Sequence, residues 1–137
     1  MVIAILDTNV LISGTFWLGP PKEVLHRAKV GFFQVVISPA LLAELHDILT
    51  RKDKPFRLST TEAKRVQADI LSFAQVVRPK AHVTVCRDST DNRVLECALE
   101  AEAEFVVSGD SHLLDMGHFR GIKIVKVRAF LDSLGPK

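Results

Sequence analysis

Apolar positions along the chain change their spacing repeatedly, between short unbroken runs and stretches that repeat every three or four residues. Val2 to Leu6 is an unbroken run rich in Val and Ile, as expected of a strand covered on both faces of a parallel sheet. A loop containing Gly14, Gly19, Pro20 and Pro21 then leads to a helix from about Lys22 to Val30, with Val24, Leu25 and Ala28 on one face. Phe32 to Ile37 reads as the second strand. Ser38-Pro39 supplies an N-cap and a first-turn proline, and Leu41, Leu42, Leu45, Ile48 and Leu49 trace the inward stripe of the next helix. Ser59 to Glu62 matches a capping box, continued at helical spacing by Ala63, Val66, Ile70 and Phe73.

The second half repeats the alternation. Ala74 to Val77 reads as an edge strand ended by Pro79, and His82 to Val85 as strand or extended loop. Ser89-Thr90 caps a helix that begins near Asp91 and turns Val94, Leu95, Ala98 and Leu99 inward. Phe105 to Ser108 is a further buried strand. A short helix at Ser111 to Met116, a strand at Ile122 to Val125 and a helix from about Val127 to Leu134 follow. Strands alternating with helices predict an α/β fold around a parallel sheet with right-handed crossovers.

This pattern gives the acids their meaning. Asp7 ends the first apolar run and Asp110 follows the run that closes at Ser108-Gly109. In open α/β sheets the ligand crevice lies beyond the carboxyl ends of the strands, so acids at these places project toward a shared spot. Carboxylate oxygens suit Mg²⁺ or Mn²⁺. Asp91 and Glu44 are the further candidates. Each also has an ordinary reading: Asp110 as an N-cap, Asp91 as a complement to a helix dipole, Asp88 as a loop or cap residue, Glu44 as a solvated helix residue. Glu96, Glu100, Glu102 and Glu104 read as helix surface or helix end.

Composition narrows the function classes. A chain of 137 residues with 47% apolar content suffices for one domain with one core. No apolar stretch reaches the ~18 residues of a membrane span, and no secretory leader pattern opens the chain, so a cytoplasmic protein is expected. Cys86 and Cys97 form no C-x-x-C pair and read as free thiols. A net charge of +2 says little by itself. Its distribution says more: Arg51, Lys52, Lys54 and Arg57 form one local excess, and Arg78, Lys80 and Arg87 another, although a solvated face is the ordinary reading of such runs. The histidines show no H-x-x-x-H spacing for zinc.

The pieces Leu6-Asp7-Thr8-Asn9-Val10-Leu11, Leu41-Leu42-Ala43-Glu44-Leu45, Asp88-x-x-Asp91-Asn92-x-x-Leu95-x-x-Ala98 and Val107-Ser108-Gly109-Asp110-x-x-Leu113-Leu114 together resemble the PIN-domain family of metal-dependent ribonucleases. Each is weak alone. They occur in the family's order across nearly the whole chain, with greatest likeness to the branch of toxins from toxin–antitoxin pairs. The resemblance implies a three-layer α/β/α fold with a sheet of about five strands in the order 3-2-1-4-5. It also implies a Mg²⁺ or Mn²⁺ site of Asp7, Glu44, Asp91 and Asp110, with Asp88 auxiliary. Thr8, Asn9 and Ser108 would orient those carboxylates. The implied reaction is hydrolysis of single-stranded or structured RNA, leaving a 5′-phosphate and a 3′-hydroxyl. The implied partners are a small antitoxin, whose arm would occupy the acidic groove through an Arg, and a second copy of the chain.

Trp17 and Arg87 are candidate substrate contacts. An exposed Trp can stack on an unpaired base, with packing as its alternative; Phe16 reads first as packing. Two other functions remain open. An aspartyl-phosphate phosphotransferase also places an acid after its first strand, but here Asn9 stands where a second Asp is usual, and no Lys closely follows the later strands. A PIN-like module that binds RNA or protein without cutting is the non-enzymatic alternative.

Overall fold

In the computed structural model, which describes residues 1–136, the chain begins with β1 (Ile3–Leu6), α1 (Thr8–Phe16), α2 (Pro20–Lys29) and β2 (Gln34–Ile37). It continues through α3 (Pro39–Thr50), α4 (Thr60–Leu71), β3 (Ala74–Val76) and α5 (Ser89–Ala101). The last elements are β4 (Phe105–Val107), α6 (Ser111–Met116), β5 (His118–Phe119), β6 (Ile122–Val125) and α7 (Val127–Leu134).

The strands align in the order β3-β2-β1-β4-β6-β5. The first five of these pair in parallel, giving the expected 3-2-1-4-5 order with helices flanking the sheet. β5 adds an antiparallel edge to β6, unforeseen because two residues carry no readable alternation. The turn between them, Arg120-Gly121, has positive φ at both positions, as a tight two-residue hairpin turn requires.

The three central strands are apolar on both faces because helices cover both. α5 lies across β1, β2 and β4, and α2 packs against α1 and α7. Phe130 of α7 meets Phe33 and Phe105 edge to face, at 4.8 and 5.3 Å between ring centres. Register then positions the chemistry. Leu6 lies beside Val107, and Val107 beside Val125. The next residues, Asp7 and Ser108, therefore emerge side by side at the carboxyl edge.

The segment after β1 is helix, where a loop was expected. The sequence Thr8–Phe16 lacks a clear apolar stripe, and its β-branched residues and Gly14 disfavour helix. Tertiary burial overrides that preference: Thr8, Val10, Leu11, Ile12 and Gly14 are all buried. Gly14 permits the contact with α2, since a Cβ there would lie 2.7 Å from the Leu25 side chain and from the Pro21 carbonyl oxygen. α2 starts at Pro20, earlier than expected, with proline in its first turn. α5 starts at Ser89, capped by Asp88 and not by Ser89-Thr90. His82 to Val85 is extended without joining the sheet.

Candidate functional site

Three of the helices, α1, α5 and α6, are each capped by an aspartate. Asp7 caps α1 by accepting the Asn9 N–H at 3.3 Å. Asp88 caps α5 through the Thr90 N–H at 2.8 Å, and Asp110 caps α6 through the His112 N–H at 2.8 Å. An aspartate is favoured here because it satisfies an orphan backbone donor and faces the positive end of the helix dipole. The sheet places β1 beside β4, so local capping chemistry repeated in separate segments becomes one acidic cluster.

Ser108 joins two of these acids. Fully buried, its hydroxyl donates to Asp7 Oδ2 at 2.7 Å and accepts the Asp110 N–H at 2.9 Å. Thr8, also buried, donates its hydroxyl to Asp7 Oδ1 at 3.3 Å. Both residues thus hydrogen-bond the Asp7 carboxylate. Asn9 contributes its backbone N–H, while its side chain is exposed.

Asp91 differs from the other three. Lying in the first turn of α5, it is 4% exposed, yet its carboxylate accepts no hydrogen bond and forms no ion pair among the described residues. Burial, followed by the charges of Asp110, Asp88 and Asp7, pushes its pKa up to about 6; His112 acts in the opposite direction. Asp7, Asp88, Asp91 and Asp110 thus share one electrostatic environment. Glu44 does not figure among the charges acting on Asp91. It is half-buried in the second turn of α3, which starts just beyond the end of β2, the strand next to β1. Asp88, expected as an auxiliary acid, is therefore electrostatically closer to the centre than Glu44.

Two of the acids, Asp88 and Asp91, line a cleft of about 530 Å³ together with Val85, Cys86, Arg87, His112 and Met116. Arg87 is exposed on its wall. His112 and Asn92 are the residues that sequence reasoning under-used. His112 follows Asp110 by two positions, the signal that places it in the first turn of α6. Buried Asn92 clamps the cleft wall: its amide accepts the Cys86 N–H at 2.8 Å and donates to the Cys86 carbonyl at 3.0 Å. That pair of bonds holds the segment leading into Asp88. Glu96, expected on the helix surface, is buried and braces the same wall. Burial disfavours its charge, but hydrogen bonds from Arg93 and the Val83 N–H hold its carboxyl below the ordinary range.

Both cysteines are free. Burial pushes Cys97 up to about 12, whereas Cys86 is raised by burial and then by Asp91, Asp110 and Asp88.

Among the described residues, no three His, Cys, Asp or Glu side chains already stand at ligand spacing. The donor set nevertheless fits a hard divalent cation. It is made of carboxylate oxygens, and Asp91 lacks any donor among the described residues while burial, and then three neighbouring acids, raise its pKa. A cation is the species that reverses that repulsion.

Comparison with known proteins gives a consistent result. The family described as PIN domain matches residues 4–112. The uncharacterised protein MJ1680 of Methanocaldococcus jannaschii is 25% identical over 114 residues, covering 82% of this chain and 73% of that protein. VapBC2 from Rickettsia felis, solved bound to a DNA fragment from its promoter, superposes with a TM-score of 0.64 at 13% identity, over 91% of this chain and 98% of that one. PAE2754 from Pyrobaculum aerophilum gives 0.62 at 17% identity, over 99% and 91%. A domain of a functionally unknown M. jannaschii protein gives 0.58 at 15%, over 90% and 89%. At these identities the structural likenesses speak for the fold.

Proposed function

The chain belongs to the PIN-domain family, and from that premise we propose that it is a Mg²⁺- or Mn²⁺-dependent ribonuclease that hydrolyses phosphodiester bonds of RNA. The observation that carries this reading is Asp91: a buried carboxylate with no hydrogen-bond donor among the described residues, within the electrostatic reach of three other aspartates.

Asp7, Asp91 and Asp110 would hold the ion, with Asp88 as an auxiliary acid and Glu44 binding the ion or its water. The bound cation would supply Lewis acidity toward the phosphate and a lowered pKa for water. Ser108 fixes the orientation of Asp7 and ties it to the Asp110 backbone, so that two ligands keep their relative positions. The carboxylates repel a phosphate until a cation is present, which makes entry of the scissile phosphate among them depend on metal loading. Arg87 and His112 line the cleft as candidate contacts to the phosphate. No side chain need form a covalent intermediate.

The same premise supports a toxin role, since the R. felis relative is a VapBC2 complex. For this chain the proposal is a small antitoxin that covers the acidic cleft, together with a homodimer. The decisive test is cleavage of defined single-stranded RNAs with Mg²⁺ or Mn²⁺. Wild type should cut to 5′-phosphate ends, and Asp7→Asn and Asp91→Asn should be inactive with unchanged circular dichroism. Intact RNA after hours with wild type in Mn²⁺ would turn the assignment to a non-cutting module.

A further inference from the structure

The end of α1 carries an exposed aromatic group that the acidic cleft does not use. Phe16 and Trp17 meet Phe56, which arrives from the connection between α3 and α4. Phe16 and Phe56 lie 5.0 Å apart at 30°, while Trp17 makes T-shaped contacts with Phe56 at 5.6 Å and with Phe16 at 6.2 Å. Phe56 is half-buried and packs on the core, so it fixes the cluster in place. Trp17 remains 53% exposed and Phe16 40%. An indole braced by two rings, with about half of its surface in water, is a restrained aromatic surface open to solvent.

Charge beside the rings selects the occupant. Residues 51–58 hold Arg51, Lys52, Lys54 and Arg57 against one acid, Asp53. Arg51 bonds Asp53 at 3.2 Å and also reaches Asp47 at 3.2 Å. Lys52 and Arg57, both exposed, form no ion pair among the described residues. Uncommitted cations next to exposed rings match a polyanion whose units carry flat faces.

Position adds a third argument. α1 starts at Asp7 in the acidic cluster and runs nine residues to Phe16, about 14 Å of helix. A strand whose scissile phosphate lies among the acids could place a base a few nucleotides away on Trp17. The acids repel the rest of that strand, so contacts outside the cleft add to its affinity.

We propose that Trp17, backed by Phe16 and Phe56 and flanked by Lys52 and Arg57, is a stacking platform for a base of single-stranded RNA. The platform rests on the ribonuclease reading and deepens it, by specifying an unpaired substrate strand held away from the cleavage point. The chain has one Trp and no Tyr, so its intrinsic emission reports on Trp17. In EDTA, where no cutting occurs, a uridine oligonucleotide should quench that emission, and a matched abasic oligonucleotide should not. By anisotropy with labelled RNA, Trp17→Ala should bind roughly tenfold more weakly. Replacing Lys52 and Arg57 together by Ala should flatten the slope of log affinity against log salt by about 1.4. In Mn²⁺, Trp17→Ala should raise KM and leave kcat unchanged.

Unquenched emission in a complex with RNA, or equal affinity of Trp17→Ala, overturns the platform. Emission that responds only to the protein's own concentration or to a protein partner assigns the patch to protein contact and overturns it equally. Quenching by an RNA that wild type never cuts in Mn²⁺ would refute hydrolysis and leave the platform standing; cutting without quenching would do the reverse.

Discussion

Replacing Asp91 by Asn should make the metal-free protein more stable at pH 8, although it removes a proposed ligand. The reasoning follows from one carboxylate that folding puts in an unfavourable place. Burial, then Asp110, Asp88 and Asp7, raise its pKa from the ordinary 3.8 to about 6. A raised acid binds its proton more tightly in the folded chain than in the unfolded one. Its contribution to stability is therefore complete below pH 3.8 and lost as pH rises through about 6. At about 1.4 kcal/mol for each pH unit, the loss at neutral pH is at most about 3 kcal/mol. Water in the cleft screens the charges, so about 2 kcal/mol is the better expectation.

Asn has nearly the same shape and cannot ionise. In EDTA at pH 8, Asp91→Asn should gain about 2 kcal/mol in urea unfolding, or roughly 5–10 °C in Tm. At pH 4, where Asp91 is protonated in the folded protein, the two should nearly coincide. The difference between variant and wild type is the quantity to follow, because Glu96 and the paired surface acids impose their own acid dependence on both. Mn²⁺ should then reverse the order, stabilising wild type more than the variant, since binding to the folded state alone raises stability by mass action. A variant no more stable than wild type at pH 8 without metal would mean that ionised Asp91 is well solvated or hydrogen-bonded, and the argument for a cation site at this position would fail.

Ser108→Ala removes both the donor to Asp7 and the acceptor of the Asp110 N–H; it should cost about 1–3 kcal/mol in urea unfolding and weaken Mn²⁺ binding by calorimetry about 10–100-fold. Gly14→Ala should destabilise by about 1–3 kcal/mol despite the better helix propensity of Ala, because its Cβ would meet Leu25 and the Pro21 carbonyl; an increase in Tm would show that α1 and α2 can separate at no cost. Glu96 has a lowered pKa, so its stabilising effect is present above the ordinary 4.5 and lost as pH falls through its lower folded value. Glu96→Gln should accordingly flatten the acid limb of a Tm-against-pH curve, and an unchanged limb would remove the Arg93–Glu96 pair from acid unfolding.

The parts of this fold that were legible are those where local chemistry and tertiary structure agree. Ser59 and Glu62 form the expected capping box, and α6, β6 and α7 occupy the expected residues. Thr8–Phe16 failed that criterion. Its helix depends on Asp7 capping and on burial against α2, neither of which leaves a periodic trace in nine residues. The acidic cluster was legible for a different reason. An aspartate after a buried strand serves first as a cap for the helix that follows, so the feature that builds α1 and α6 also delivers Asp7 and Asp110 to one edge. Asp91 is the exception. It caps nothing, accepts no hydrogen bond among the described residues, and lies buried where its own fold penalises its charge. Because capping accounts for Asp7, Asp88 and Asp110 without any ligand, those three alone would carry little functional weight. Beyond its place in the first turn of α5, local structure gives Asp91 no partner among the described residues, and the proposal of a cation, with a second role for the other three, rests on it.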